Sequence, residues 1–299
     1  MNDPSSSGEI VFQSRQQAAC AKSRLVLESV GIPARMVQQG GWWLLVVDAD
    51  VQTAAVTELN LYQDENKDSQ RPVAPAVKIF AGALMGVCVY TFTVTLLTIP
   101  AWTDGFPLPW VSIGRMQAGE VMDGQWWRAV TALTLHSDSV HLLSNLAFGS
   151  VFGLLAGRIL GGGVAWAAII AGGALGNFMN AMIRDAEHRS IGASTAVFAA
   201  LGIMVAHALH PRWPSSRPLL QRWRPLIGGV LLLALIGLGG ERTDVVAHAT
   251  GFVAGVMIGW LACRIPERWL SSSHFQLSAG LASFLMVTLA WGIAILSAH

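Results

Sequence analysis

The sequence predicts an all-α polytopic membrane protein preceded by a small α+β domain. Three observations carry this. First, hydrophobic residues make up 53% of the 299 positions and charged residues only 12%, about half the share found in soluble domains. Second, the charges are uneven: residues 1–75 hold 15 of the 37 charged side chains, six basic and nine acidic. Third, uncharged runs of membrane-spanning length recur from Ile79 to the end of the chain. The predicted organisation is a soluble α+β domain at 1–63, a linker at 64–76, a six-helix membrane core at 77–263 and an additional C-terminal transmembrane helix at 264–299.

The first domain alternates short elements. Glu9–Phe12 predicts a strand, and Arg15–Val30 a helix with apolar residues at Ala19, Leu25, Val26 and Val30. Ile32–Gln38 and Trp42–Val47 predict two strands around Gln39-Gly40-Gly41, a hairpin signal. Asp50–Tyr62 predicts a second helix with Asp50 at its N-cap. The order βαββα resembles half of a ferredoxin-like sheet. It carries no catalytic constellation, which leaves a docking or regulatory role. Met1–Gly8 is polar and lacks the charged-then-apolar pattern of a signal peptide, so this domain is expected in the cytoplasm.

The spans are Ile79–Ile99, Ser139–Gly157, Ile159–Ile183, Ser190–Pro211, Pro225–Gly240, Val245–Cys263 and Trp269–His299. The fifth is short for a bilayer crossing. With the N-terminus inside, inner segments hold nine lysines and arginines against five in outer ones, and 211–224 alone carries four arginines. The positive-inside rule then puts the N-terminus in the cytoplasm and the C-terminus outside. The expected location is a multi-pass protein of a bacterial cytoplasmic membrane.

Polar residues inside spans are expensive and mark function. His141 and Asn145 are one helical turn apart near the start of the second span. Ser194 sits near the start of the fourth and His248 near the start of the sixth. These three spans run the same way, so the four side chains share one level, about 5–10 Å below the outer surface at 1.5 Å rise per residue. A serine hydroxyl beside an imidazole base is an activated nucleophile. His141, Asn145 and the Ser194 N–H could donate to a tetrahedral oxyanion. Ala247, Gly251, Gly255 and Gly259 form a small-xxx-small stripe that lets the helix carrying His248 approach a neighbour closely.

These residues resemble the rhomboid family of intramembrane serine proteases. Trp127-Arg128 and Thr131, then His136, His141 and Asn145, resemble the family's WR loop and H-x4-H-x3-N stretch. Gly192-Ala193-Ser194-Thr195 resembles its G-x-S-x segment, and Ala247-His248-Ala249-Thr250-Gly251 its A-H-x-x-G segment. The resemblance covers about 78–263. It implies a Ser194–His248 dyad without a third acid, His141 and Asn145 as oxyanion donors, no metal and no cofactor. The implied partners are transmembrane protein substrates, cleaved near the outer membrane face. The segment 101–135, with Trp102, Trp110, Trp126 and Trp127, resembles the family's amphipathic loop at the membrane interface. The family most often has glycine after the serine; Thr195 stands here and could narrow the site. The seventh span lies beyond the family's six-helix core.

Other features carry blander expectations. His136 and Arg128 are expected to support the loop, and His207, His210 and His274 to be structural. The charged run Arg184, Asp185, Glu187, His188 and Arg189 is expected to be solvated. Cys20, Cys88 and Cys263 show neither zinc nor disulfide spacing. A net charge of +1 offers no basic face for nucleic acid. H-E-x-x-H is absent, which argues against an intramembrane metalloprotease. Paired intramembrane carboxylates and internal repeats are absent too, which argues against a transporter. The alternative function is a proteolytically inactive rhomboid-like protein that binds membrane proteins.

Overall fold

A computed structural model describes residues 8–66, 79–103, 108–210, 223–224, 226–231 and 244–298. The chain divides into two units, Met1–Val77 and Lys78–His299.

The first unit is built from β1 (Glu9–Ser14), α1 (Gln17–Ser29), β2 (Arg35–Gln39), β3 (Trp42–Val47) and α2 (Gln52–Asn66). The antiparallel sheet has the order β1-β3-β2. Gln39 pairs with Trp42, so Gly40 and Gly41 form a two-residue loop, both at positive φ (57° and 81°). That is the I′ geometry whose twist suits a hairpin and which glycine adopts without strain. Cys20, Leu27, Leu45, Val47, Ala55 and Leu59 close a small core. Asp50 does not cap α2: it lies inside a short 3₁₀ turn, Ala49–Val51, that follows Asp48. The helix also runs to Asn66, past the expected start of the linker.

The second unit is helical. The crossing helices are α3 (Ala83–Thr103), α7 (Ser139–Leu160), α8 (Gly162–Ile183), α10 (Val245–Ala262) and α12 (Ser273–Leu296), all long and apolar enough to span a bilayer. The helix α9 (Ser194–Leu209) is shorter, and 11 of its 16 residues are buried. An α-helix apolar all round belongs inside its bundle. The expected fifth span, Pro225–Gly240, lies mostly outside the described residues, of which 226–231 are helical. Between α3 and α7 the chain makes α4 (Trp110–Gly114), β4 (Met116–Gln117), α5 (Ala118–Met122) and α6 (Arg128–Thr131). A short α11 (Glu267–Leu270) precedes α12.

Small residues set the helix spacing. A Cβ on Gly251 would strike the carbonyl oxygen of Thr195, one on Gly255 the backbone of Ala199, and one on Gly259 the backbone of Ile203. The contact positions advance together, four by four, so α9 and α10 run parallel with their backbones touching. That is the consequence of the small-xxx-small stripe. Between α7 and α8 the turn is made by Gly161, at φ 82°, whose N–H closes on the Gly157 carbonyl. Glycine is the usual residue at such a helix end.

Candidate active site

The site is assembled from helix beginnings. Ser194 is the first residue of α9, His248 the fourth of α10 and His141 the third of α7. Two of these helices start on capping aspartates: Asp138 accepts from the His141 N–H at 2.9 Å, and Asp244 from the Ala247 N–H at 3.1 Å. Such caps satisfy donors that a helix leaves unpaired at its start.

The Ser194 turn is held from three sides. β4 pairs with β5 (Arg189–Ser190), and the Gly192 N–H donates to the Ala132 carbonyl at 2.9 Å. The Ala193 N–H donates to Nε2 of His136 at 3.3 Å. Gly192 sits at φ 132°, and a Cβ there would lie 2.6 Å from Cε1 and Nε2 of the His141 ring and 3.7 Å from Ser194 Oγ. Only glycine fits between the His141 imidazole and the hydroxyl. This is the physical content of the G-x-S spacing.

His248 is buried, and its ring lies on Phe198 with centroids 4.4 Å apart. Phe198 is one turn below Ser194 on the same face of α9. The imidazole thus packs on α9 one turn beyond Ser194, beside the Gly251–Thr195 contact. Asn145, also buried, turns its Nδ2 back to the His141 carbonyl at 3.0 Å. An amide nitrogen has two hydrogens, so one donor remains. The Tyr90 hydroxyl donates to the Asn145 carbonyl at 2.8 Å and braces this turn of α7.

Thr195 does not narrow the site through its methyl group. Its Cγ2 lies in the helix seam, where Cβ atoms on Gly176 and Gly251 would come within 2.8 and 2.9 Å of it. Glycines on α8 and α10 make room for the β-branched side chain.

The charged run before the serine is not simply solvated. Arg184 Nη2 meets Asp244 Oδ1 at 2.9 Å, and His188 Nε2 meets Oδ2 at 2.7 Å. Asn180 Nδ2 donates to Oδ2 at 2.8 Å. Burial alone would raise the Asp244 carboxyl, but hydrogen bonds from Arg184, His188, the Ala247 N–H and Asn180 outweigh it and hold the group well below the usual carboxylate range. Asp244 therefore ties the start of the His248 helix to the end of α8. Sequence reasoning passed over it. The available signal was an aspartate immediately before the run that carries His248.

The supporting roles expected for His136 and Arg128 are visible in their contacts. Burial pushes the His136 imidazole down to about 3, so the ring is neutral and can accept the Ala193 N–H. Arg128 donates Nε to Gln125 Oε1 at 2.7 Å and Nη1 to the carbonyls of Ser112 (2.8 Å) and Arg115 (3.0 Å). Its Nη2 meets Glu120 Oε2 at 2.6 Å. One planar guanidinium thereby fastens four points of the loop between α3 and α7.

Fold and site together define a class: a multi-pass integral membrane protein with a serine and histidines gathered at the beginnings of three helices. Residues 123–265, just under half of the chain, match the family model of the rhomboid domain. The chain is 28% identical over 152 residues to Rhomboid-like protein 11, chloroplastic, of Arabidopsis thaliana, covering 48% of this chain and 54% of that protein. The Bacillus subtilis protein YdcA is 23% identical over 192 residues, 64% of this chain and 91% of YdcA. Rhomboid protease GluP of the same bacterium is 29% identical over 154 residues, 51% of this chain and 28% of GluP. The chain thus spans about half the length of the Arabidopsis relative and nearly all of YdcA.

Proposed function

We propose that this chain is an intramembrane serine endopeptidase that cleaves transmembrane proteins near the outer membrane face, with Ser194 as nucleophile and His248 as base. The observation that supports this most is the convergence of helix beginnings: Gly192 leaves the His141 ring beside Ser194, and His248 packs on Phe198, one turn beyond Ser194.

His248 takes the Ser194 proton as Oγ attacks the scissile carbonyl, then returns it to the leaving amine. Water then hydrolyses the acyl-enzyme by the same route. The oxyanion is met by the Ser194 N–H, which has no partner inside a helix it begins. His141 Nε2 is a second donor. Ser137 Oγ lies 3.2 Å from His141 Nδ1 and 2.8 Å from Asp138 Oδ2. Asn145 is the third donor, its free N–H reached by a small rotation. Each helix beginning adds about half a positive charge, and three of them face the developing negative charge. Loss of one oxyanion donor in a serine hydrolase costs about 100–1,000-fold.

Nine inner against five outer basic residues support an N-terminus in the cytoplasm. The proposed setting is a bacterial cytoplasmic membrane. The domain boundaries at 63, 76 and 263 belong to the same proposal. The substrate is a single-span protein whose helix opens at its outer end, because a helical peptide bond is shielded by its own backbone bonds. Glycine or proline there lowers that cost, by about 1 and 3 kcal/mol relative to alanine.

The test is cleavage of a model single-span substrate by detergent-purified protein, with a serine-directed fluorophosphonate as a second readout. Ser194→Ala should abolish both cleavage and labelling while the protein stays folded. Cleavage that survives in Ser194→Ala overturns the proposal. Wild-type protein that neither labels nor cleaves points to the inactive, binding-only relative.

A further inference from the structure

The match to the rhomboid domain ends at residue 265, and α12 lies beyond it. Two hydrogen-bonded ends fasten this helix. Near its start, Gln276 Nε2 donates to the carbonyls of Leu160 and Leu270, each at 2.9 Å, and Oε1 accepts the Val164 N–H at 3.0 Å. Near its finish, Trp291 is buried and donates Nε1 to Thr134 Oγ1 at 3.0 Å.

The second bond opens a chain of contacts that ends at the serine. The Thr98 hydroxyl donates to the Thr134 carbonyl at 3.1 Å, and its Oγ1 lies 3.2 Å from His136 Nδ1. His136 Nε2 accepts the Ala193 N–H. A backbone N–H can only donate, so the His136 proton must sit on Nδ1 and point to Thr98. Every proton in the chain then has one direction. Thr134 passes its own to the Thr131 carbonyl at 2.7 Å, and Thr131 passes its own to the Gly114 carbonyl at 2.6 Å. Gly114 lies against the Trp291 ring, where a Cβ would meet Cζ2 and Cη2. One tryptophan thus touches both ends of this loop.

Apolar packing reinforces the contact. Val287, Ala290 and Ala294 of α12 join Ile113, Val130 and Leu135 in one buried cluster, and Ile191, three residues before the serine, packs against it.

We infer that α12 is a positioning element of the active site: Trp291, through Thr134, Thr98 and His136, holds the backbone turn that presents Ser194. This rests on Ser194 being the nucleophile. The helix is then part of the catalytic geometry and not merely a further anchor in the bilayer.

The experiment compares full-length Trp291→Phe, Thr134→Val, the double variant and Gln276→Leu with wild type. Each is measured for substrate cleavage, with kcat expressed per Ser194 that a fluorophosphonate can label. Trp291→Phe keeps an aromatic ring and loses the donor. We expect kcat per labelled site to fall about tenfold with KM within twofold, short of the 100-fold that roughly 1 Å of misplacement costs. Thr134→Val loses this contact and its bond to the Thr131 carbonyl, so it should fall at least as far, and the double variant no further than Thr134→Val, because the Trp291 contact is already gone. Gln276→Leu loosens the other end and should leave kcat per labelled site within twofold. Unchanged kcat in Trp291→Phe, a fall only in the amount of labelled protein, additive losses in the double variant, or an equal loss in Gln276→Leu would each overturn the inference. Wild type without label or cleavage would instead remove the catalytic reading on which it rests.

Discussion

Gly251→Ala tests how closely the chemistry depends on helix spacing. The new methyl would run into the carbonyl oxygen of Thr195, with the carbonyl carbon 3.1 Å away and Thr195 Cγ2 at 2.9 Å. The obstacle is backbone, so no side-chain rotation relieves it. The helices α9 and α10 must part by roughly 1 Å, and a displacement of that size costs on the order of 100-fold in rate. That is about 2.7 kcal/mol in the barrier. Overpacking adds about 1–3 kcal/mol of lost stability. His248 is three residues from the new methyl, and Ser194 is the neighbour of Thr195, so the parting falls directly on the pair. The assay is kcat for a model substrate together with thermal unfolding in detergent. Gly292→Ala is the control, because a Cβ there meets nothing within 4 Å; it should retain rate and stability. Gly251→Ala with wild-type kcat and melting temperature would refute the reasoning that the glycine stripe sets the Ser194–His248 distance.

Two further outcomes follow from the ion pairs. Asp244→Asn keeps a capping oxygen but loses the carboxylate charge that meets Arg184 and His188, and should destabilise the protein at pH 7 by about 1.5–3 kcal/mol, read as a lower melting temperature. The folded Asp244 carboxyl lies below its unfolded value, so its stabilisation is present above about pH 4 and fades as pH falls through the folded value. The gap between variant and wild type should therefore close in acid, and a gap constant from pH 7 to pH 3 would contradict the assignment. Arg128→Lys keeps the charge but has no planar fork, and should cost about 2–3 kcal/mol, because hydrogen bonds to charged groups are worth ~1.5–3 each. Thermal unfolding checks this, and an unchanged melting temperature would count against the role given to the guanidinium.

Much of the site was legible because its residues obey local rules. His141 and Asn145 declare a shared helix face by spacing, and the Gly251 series declares close packing. Gly192 entered only through the resemblance of Gly192-Ala193-Ser194-Thr195 to a family motif, and the packed turn supplied the reason for a glycine there. The apolar runs declare the spans, since a membrane demands long uncharged helices whatever their order. The first unit was legible for a similar reason: the Gly40-Gly41 turn fixes a hairpin register within a few residues.

What the linear order could not reveal were contacts between elements far apart in the chain. Arg184, His188 and Asp244 look like solvated charges until α8 and α10 meet, and Thr195 looks obstructive until Gly176 and Gly251 open a seam for it. By itself the sequence determined the helices, their polar residues and the chemistry those residues can perform. Only the tertiary structure decided which backbone each side chain steadies, and so tied Trp291 to the turn before Ser194. Periodicity and capping act over a few residues and can be read along the chain. Burial and hydrogen-bond partnership depend on which surfaces finally touch, and that is a property of the packed bundle.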